Sequence, residues 1–179
     1  MIDPNTLSRF GFLADLPAGI LTDMAAASQL LSFEPSSVIF HVGEKAETLY
    51  GLIEGEVDLS LVVMDKSLKA EVEFEEAVRV QFLEKASRIS VDTARPGQIF
   101  GWSALTGSGQ RTVTATCSLP TRVAAIPAQN VISMCAKDPA LGYQLMKRLV
   151  GIIAKRLDNR NKRLIETWVE AFGVSKVVP

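Results

Sequence analysis

Histidine is almost missing from this sequence: His41 is the single one in 179 residues. A catalytic metal centre needs two or three imidazoles with a carboxylate, or a cluster of thiolates at ligand spacing. The two cysteines, Cys117 and Cys135, do not fill that gap. His41 itself lies in the apolar run Val38-Ile39-Phe40-His41-Val42 and reads as a structural residue. Long hydrophobic runs are missing too, none approaching the roughly 18 apolar residues of a membrane span. The opening Met1-Ile2-Asp3-Pro4-Asn5 has neither the positive nor the apolar stretch of a secretory leader. These absences predict a cytoplasmic protein, with no membrane partner and with both cysteines as reduced core thiols.

An excess of one charge is also lacking. Nineteen lysines and arginines against 20 aspartates and glutamates leave a net charge of −1, which argues against coating nucleic acid as a main task. No Gly-x-Ser-x-Gly elbow, Walker loop or cysteine paired with a base motif occurs, so neither an enzyme nor a bound cofactor or metal is expected. What remains is a chain that is 47% hydrophobic and long enough for one domain with a sizeable core.

Periodicity organises that chain. Pro17 opens a short helix on which Ile20, Met24 and Ala27 share a face. From Leu30 the period becomes two. Val38 to Val42 is a strand, and a long one follows in which Val57, Leu59, Leu61 and Val63 alternate with Glu56, Asp58 and Ser60. Between 64 and 95, Glu71, Glu73 and Glu75 alternate with Val72 and Phe74, then Val78, Val80 and Phe82 with Arg79 and Gln81. This spacing predicts an extended hairpin with a solvated, salt-bridged face. Val113, Ala115, Cys117 and Leu119 read as a further alternating strand, and Arg122 to Ile126 as its successor. After Pro127 the period turns helical. A short helix spans 128–136, with Val131 and Cys135 on one face, and Asp138-Pro139 then caps a helix reaching about Phe172. Gly151 and Asp158-Asn159-Arg160-Asn161 are its weak points, the places open to a bend or an end. The pattern predicts a mainly β fold, a double-stranded β-helix or jelly-roll-like β-roll, flanked by a short N-terminal helix and a C-terminal helix pair. The main domain is expected over 1–157, with 158–179 as a helical extension and tail.

Within this frame Gly101-Trp102-Ser103-Ala104-Leu105 is followed by Arg111-Thr112-Val113-Thr114. Small residues after a strand let backbone N–H groups converge on an anion, and an arginine adds a planar fork of donors. The segment resembles the phosphate-binding cassette of the cyclic nucleotide-binding domain family, roughly Phe-Gly-Glu-x-Ala-Leu, a gap, then Arg-x-Ala-Thr-Val. Phe40-His41-Val42-Gly43-Glu44, Leu52-Ile53-Glu54-Gly55-Glu56 and Gly97-Gln98-Ile99-Phe100-Gly101 resemble the three glycine signatures of that family. The resemblance covers about residues 10 to 157. It implies a ligand site at Gly101, Trp102, Ser103, Ala104, Leu105, Arg111 and Thr112, with the turn amides and Arg111 on a cyclic phosphate. Trp102 stands where the family has a glutamate for the ribose 2′-hydroxyl, and an indole N–H donates where a carboxylate accepts. It reads either as a ligand-stacking ring or as a core or rim aromatic. For Arg111 the alternative to phosphate contact is an exposed turn arginine.

The chain stops at Pro179, just after the long helix, where regulators of the catabolite activator type continue into a DNA reader. Direct DNA binding is therefore not expected. Lys147, Arg148, Lys155, Arg156, Arg160, Lys162 and Arg163 could touch phosphates, but spread over an amphipathic helix they read first as a solvated face. Ile153, Leu157, Leu164 and Trp168 lie on a helix longer than its domain and point to a homodimer through it. The expectation is a stand-alone sensor of a cyclic nucleotide or other small phosphate, signalling through its C-terminal helix. The other reading is a degenerate dimeric scaffold that binds no nucleotide.

Overall fold

In the computed structural model, residues 2–74, 77–107 and 109–173 are described, with the side chains of 65–85 excepted. The expected solvated face of residues 71–82 lies outside the described residues. Two short helices, α1 (Pro4–Ser8) and α2 (Ala18–Ala27), precede eight strands: β1 (Gln29–Phe33), β2 (Val38–Phe40), β3 (Thr48–Glu54), β4 (Val57–Phe74), β5 (Ala77–Ala94), β6 (Ile99–Phe100), β7 (Thr114–Cys117) and β8 (Thr121–Pro127). A 3₁₀ turn, Trp102–Ala104, follows β6, and α3 (Ala128–Lys137) and α4 (Pro139–Phe172) close the chain. The strands form two four-stranded antiparallel sheets, ordered β1-β8-β3-β6 and β2-β7-β4-β5. This is the β-roll that the alternating strands predict.

One apolar cluster lies between the sheets, with Phe40, Leu52, Val57, Phe100, Cys117 and Val123. A second fills the space between the first sheet and the helices, with Leu7, Phe10, Leu13, Met24, Ile126 and Leu145. Covering both faces of the first sheet explains why β8 reads Val123-Ala124-Ala125-Ile126 without alternation. Each fully buried leucine or phenylalanine contributes roughly 1.5–3 kcal/mol. Close packing fixes Gly51 as well: a Cβ there would stand 2.4 Å from the buried Phe10 ring. The glycines of the three signatures are needed for a different reason. Gly43, Gly55, Gly97 and Gly101 have φ of 84°, 91°, 83° and 75°, in the left-handed region that side-chain-bearing residues avoid.

The structure differs from the periodicity in several places. Helix α2 buries Leu21, Met24 and Ala25, not a face with Ala27, because α1 and α3 approach it from one side. Strand β7 is buried at all four residues and ends before Leu119, which is exposed. Helix α1 carries one buried residue, Leu7, too little pattern for periodicity to reveal it. Asp138 caps α4 by accepting from the N–H groups of Ala140 and Leu141. The helix then runs unbroken through Gly151 and 158–161 for 34 residues, about 51 Å. Its first three turns bury Leu141, Leu145 and Leu149 against the core. Cys117 and Cys135 are both free thiols, and burial pushes the Cys117 thiol above its ordinary value.

Candidate functional site

The strand β6 ends in Gly101, whose left-handed backbone turns the chain into the 3₁₀ turn Trp102–Ala104. Beside that turn lies a cavity of about 290 Å³. Its floor is apolar, with Phe40 from β2, Leu59 from β4 and Val113. Gly101, Trp102, Ser103, Thr106 and Thr112 make one wall. Helix α4 forms the roof with Ile153, Arg156, Leu157 and Arg160. No aspartate or glutamate lines it, so the polar groups offered to an occupant are hydroxyls, backbone and two guanidinium groups.

Four of the seven expected site residues, Gly101, Trp102, Ser103 and Thr112, line this cavity, whereas Ala104, Leu105 and Arg111 do not. The N–H groups of Ala104 and Leu105 are spent inside the turn, on the carbonyls of Gly101 (3.2 Å) and Trp102 (2.8 Å). Arg111 is not an exposed turn arginine; its relative exposure is 4%. Its Nη1 donates to the Gly101 carbonyl and its Nη2 to the Thr48 carbonyl, both at 2.7 Å. The guanidinium carbon lies 4.2 Å from the Phe40 ring centre and 5.5 Å from that of Tyr50. Phe40, Tyr50 and Phe100 stack on one another beneath it. Burial lowers the Arg111 pKa from its ordinary value, opposed by Tyr50 and Glu44, and the group stays cationic at neutral pH. Arg111 thus ties the cassette to strand β3.

In the sequence Arg156 is one cation among seven on a helix face, with nothing to single it out. From α4 its guanidinium sits 4.7 Å above the Trp102 ring, donates to the Ile99 carbonyl at 3.2 Å and pairs with Asp92 at 3.2 Å. Burial lowers its pKa, Asp92 opposes this, and Arg160 adds to it. Trp102 is half-buried, packed against the helix-side cluster. A single side chain from the roof helix therefore touches Trp102, β5 and the start of β6. His41 is exposed and lies past the end of β2. Among the described residues no group of three or more histidine, cysteine, aspartate or glutamate side chains is placed to hold a metal. No helix among them is long and apolar enough to cross a membrane.

No protein-family profile and no curated protein matches this sequence. Solved structures do. A protein from Geobacter metallireducens described as cyclic nucleotide-binding is 30% identical, with a TM-score of 0.65, over 88% of this chain and 99% of that one. The sensor domain of the transcriptional regulator DNR from Pseudomonas aeruginosa matches at 16% identity and a TM-score of 0.62, over 86% of this chain and 90% of that one. The regulatory domain of Toxoplasma gondii PKA, crystallised with cAMP, matches at 19% identity and a TM-score of 0.51, over 73% of this chain and 42% of that one. The last two share the fold.

Proposed function

This chain belongs to the cyclic nucleotide-binding domain family, and we propose that it is a cytoplasmic sensor whose ligand enters the cavity between the cassette and helix α4. The observation that carries this reading is the roof. Ile153, Arg156, Leu157 and Arg160 line the same cavity as Trp102, Ser103 and Thr112, so an occupant touches the cassette and the helix together. A ligand that binds better with the helix in one position biases the helix toward it. The T. gondii neighbour holding cAMP makes a cyclic nucleotide the first ligand to try. In this arrangement the Ser103 and Thr112 hydroxyls and the Arg160 guanidinium meet the phosphate, and Arg111 supports the turn from behind.

The ribose is where this chain parts from its family. Trp102 offers no acceptor for a 2′-hydroxyl, so cyclic nucleotides bind weakly. The inward turn of Arg111 and the spent amides of Ala104 and Leu105 favour the second reading, a dimeric scaffold that binds no nucleotide. Amide hydrogen exchange with millimolar cAMP separates the two. The sensor reading expects slowed exchange in 99–114 and in 150–163 together. Unchanged exchange in both segments would support the scaffold.

The partner of the helix is, on this reading, a second copy of the chain. Exposed apolar residues recur along α4 at Tyr143, Met146, Val150, Ile153, Leu157 and Leu164. The first five are three and four residues apart, and Leu164 lies one heptad after Leu157, the spacing of a two-stranded coiled-coil seam. Ile153 and Leu157 belong to that seam and to the cavity roof, so ligand and dimer share side chains.

A further inference from the structure

The side of α4 turned away from the apolar seam borders a second, larger groove of about 770 Å³. Helix α4 forms one bank with Arg148, Lys155, Arg156, Arg160, Lys162 and Arg163. The end of β5 and the turn after it form the other, with Asp92 and Arg95. Seven cations line the groove against two carboxylates, Asp92 and Glu166, on a chain whose net charge is −1. Three of the cations have internal partners. Arg156 pairs with Asp92, Arg95 lies 3.8 Å from Glu56, and Arg148 donates to the carbonyls of Phe12 and Ala14 and pairs with Asp15. Lys155, Arg160, Lys162 and Arg163 are exposed, and among the described residues none is in an ion pair. Glu166, three and four residues beyond Arg163 and Lys162, pairs with neither.

A concave site with this imbalance concentrates anions. We infer that the groove between α4 and the end of β5 is a docking surface for an extended acidic segment of a partner protein. Shape and lining select that occupant among polyanions. A helix reads a DNA duplex by entering its major groove, about 12 Å wide, whereas this basic face is turned toward strand β5 and has Asp92 in its wall. Single-stranded nucleic acid is held by stacking on aromatic rings, and no phenylalanine, tyrosine or tryptophan lines the groove. The cationic bank from Arg148 to Arg163 rises over roughly 23 Å of helix, which an extended peptide of about seven residues spans at 3.3 Å each. Alternate carboxylates on such a peptide face the helix. Arg156 and Arg160 border the neighbouring cavity as well, whereas Lys155, Lys162 and Arg163 line the groove alone.

The test uses the full chain and a fluorescent peptide of alternating glutamate and serine, about eight residues long, followed by anisotropy at physiological ionic strength. Saturable binding is expected, weakened at least about tenfold when Lys155→Glu, Lys162→Glu and Arg163→Glu are combined. Lys137→Glu, on α3, should leave it unchanged. Hydrogen exchange of the unmodified protein with saturating peptide gives a second readout that needs no variant, and slowing is expected in 91–99 and 148–166. Absence of saturation, equal binding by the triple variant, or slowing confined to other segments would overturn the inference. Displacement of the peptide by a single-stranded or duplex oligonucleotide at lower concentration than by unlabelled peptide would overturn it in favour of nucleic acid.

Discussion

Arg111→Leu is expected to lower stability by about 3–5 kcal/mol, a large share of the roughly 5–15 kcal/mol that holds a domain folded. The guanidinium is buried against Phe40 and Tyr50, and its two short hydrogen bonds reach carbonyls on separate elements, Gly101 and Thr48. Hydrogen bonds to a charged group contribute about 1.5–3 kcal/mol each. Leucine fills part of the space yet removes both bonds, leaving the Gly101 carbonyl only the longer contact from the Ala104 N–H. Arg111→Lys keeps the charge but cannot present a planar fork to two acceptors while lying flat on the rings, so roughly half the loss is expected. Urea unfolding measures both. If Arg111→Leu were as stable as the parent, the arginine would not be the tie between cassette and strand that its geometry describes.

The second large effect concerns assembly. Leu157→Glu combined with Leu164→Glu should convert a dimer into a monomer at tens of micromolar protein. Both leucines are more than half exposed, at 56% and 58%, beyond the helix's last buried residue, Leu149. They occupy equivalent positions one heptad apart, so in a parallel pair each faces its own copy. Four carboxylates on that seam replace apolar contact with like-charge repulsion. Light scattering reads the mass directly. A monomeric parent protein, or a variant that stays dimeric, would show that the stripe serves another purpose.

Residues whose conformation depends on near neighbours were legible in the sequence. Gly43, Gly55, Gly97 and Gly101 mark turns because their positive φ is a local demand, and Asp138-Pro139 marks a helix start because capping is local. The start and reach of helix α4 were legible too, but not its continuity, since it runs unbroken through Gly151 and 158–161. Features set by distant partners were not legible. The inward turn of Arg111 depends on the Thr48 carbonyl, 63 residues earlier. Arg156 reads as one more cation on a solvated face until the fold brings Trp102, Asp92 and Ile99 beneath it. Strand β7 alternates in sequence, but both of its faces are buried. The turns thus announced themselves by their glycines, while the contacts of Arg156 over Trp102 required the tertiary structure.

The central claim is that the cavity beside Trp102 is a nucleotide-type site in which Trp102 weakens binding. Titration calorimetry of cAMP into the unmodified chain and into Trp102→Glu tests it most directly. A carboxylate at 102 restores an acceptor for the ribose hydroxyl and keeps an attractive contact to Arg156 through charge, so the roof stays in place. One charge-assisted hydrogen bond of about 1.5–3 kcal/mol corresponds to roughly ten- to a hundred-fold in affinity. The account predicts weak binding by the parent and tightening in that range by the variant. Sub-micromolar binding by the parent, or no saturable heat from either protein, would contradict it.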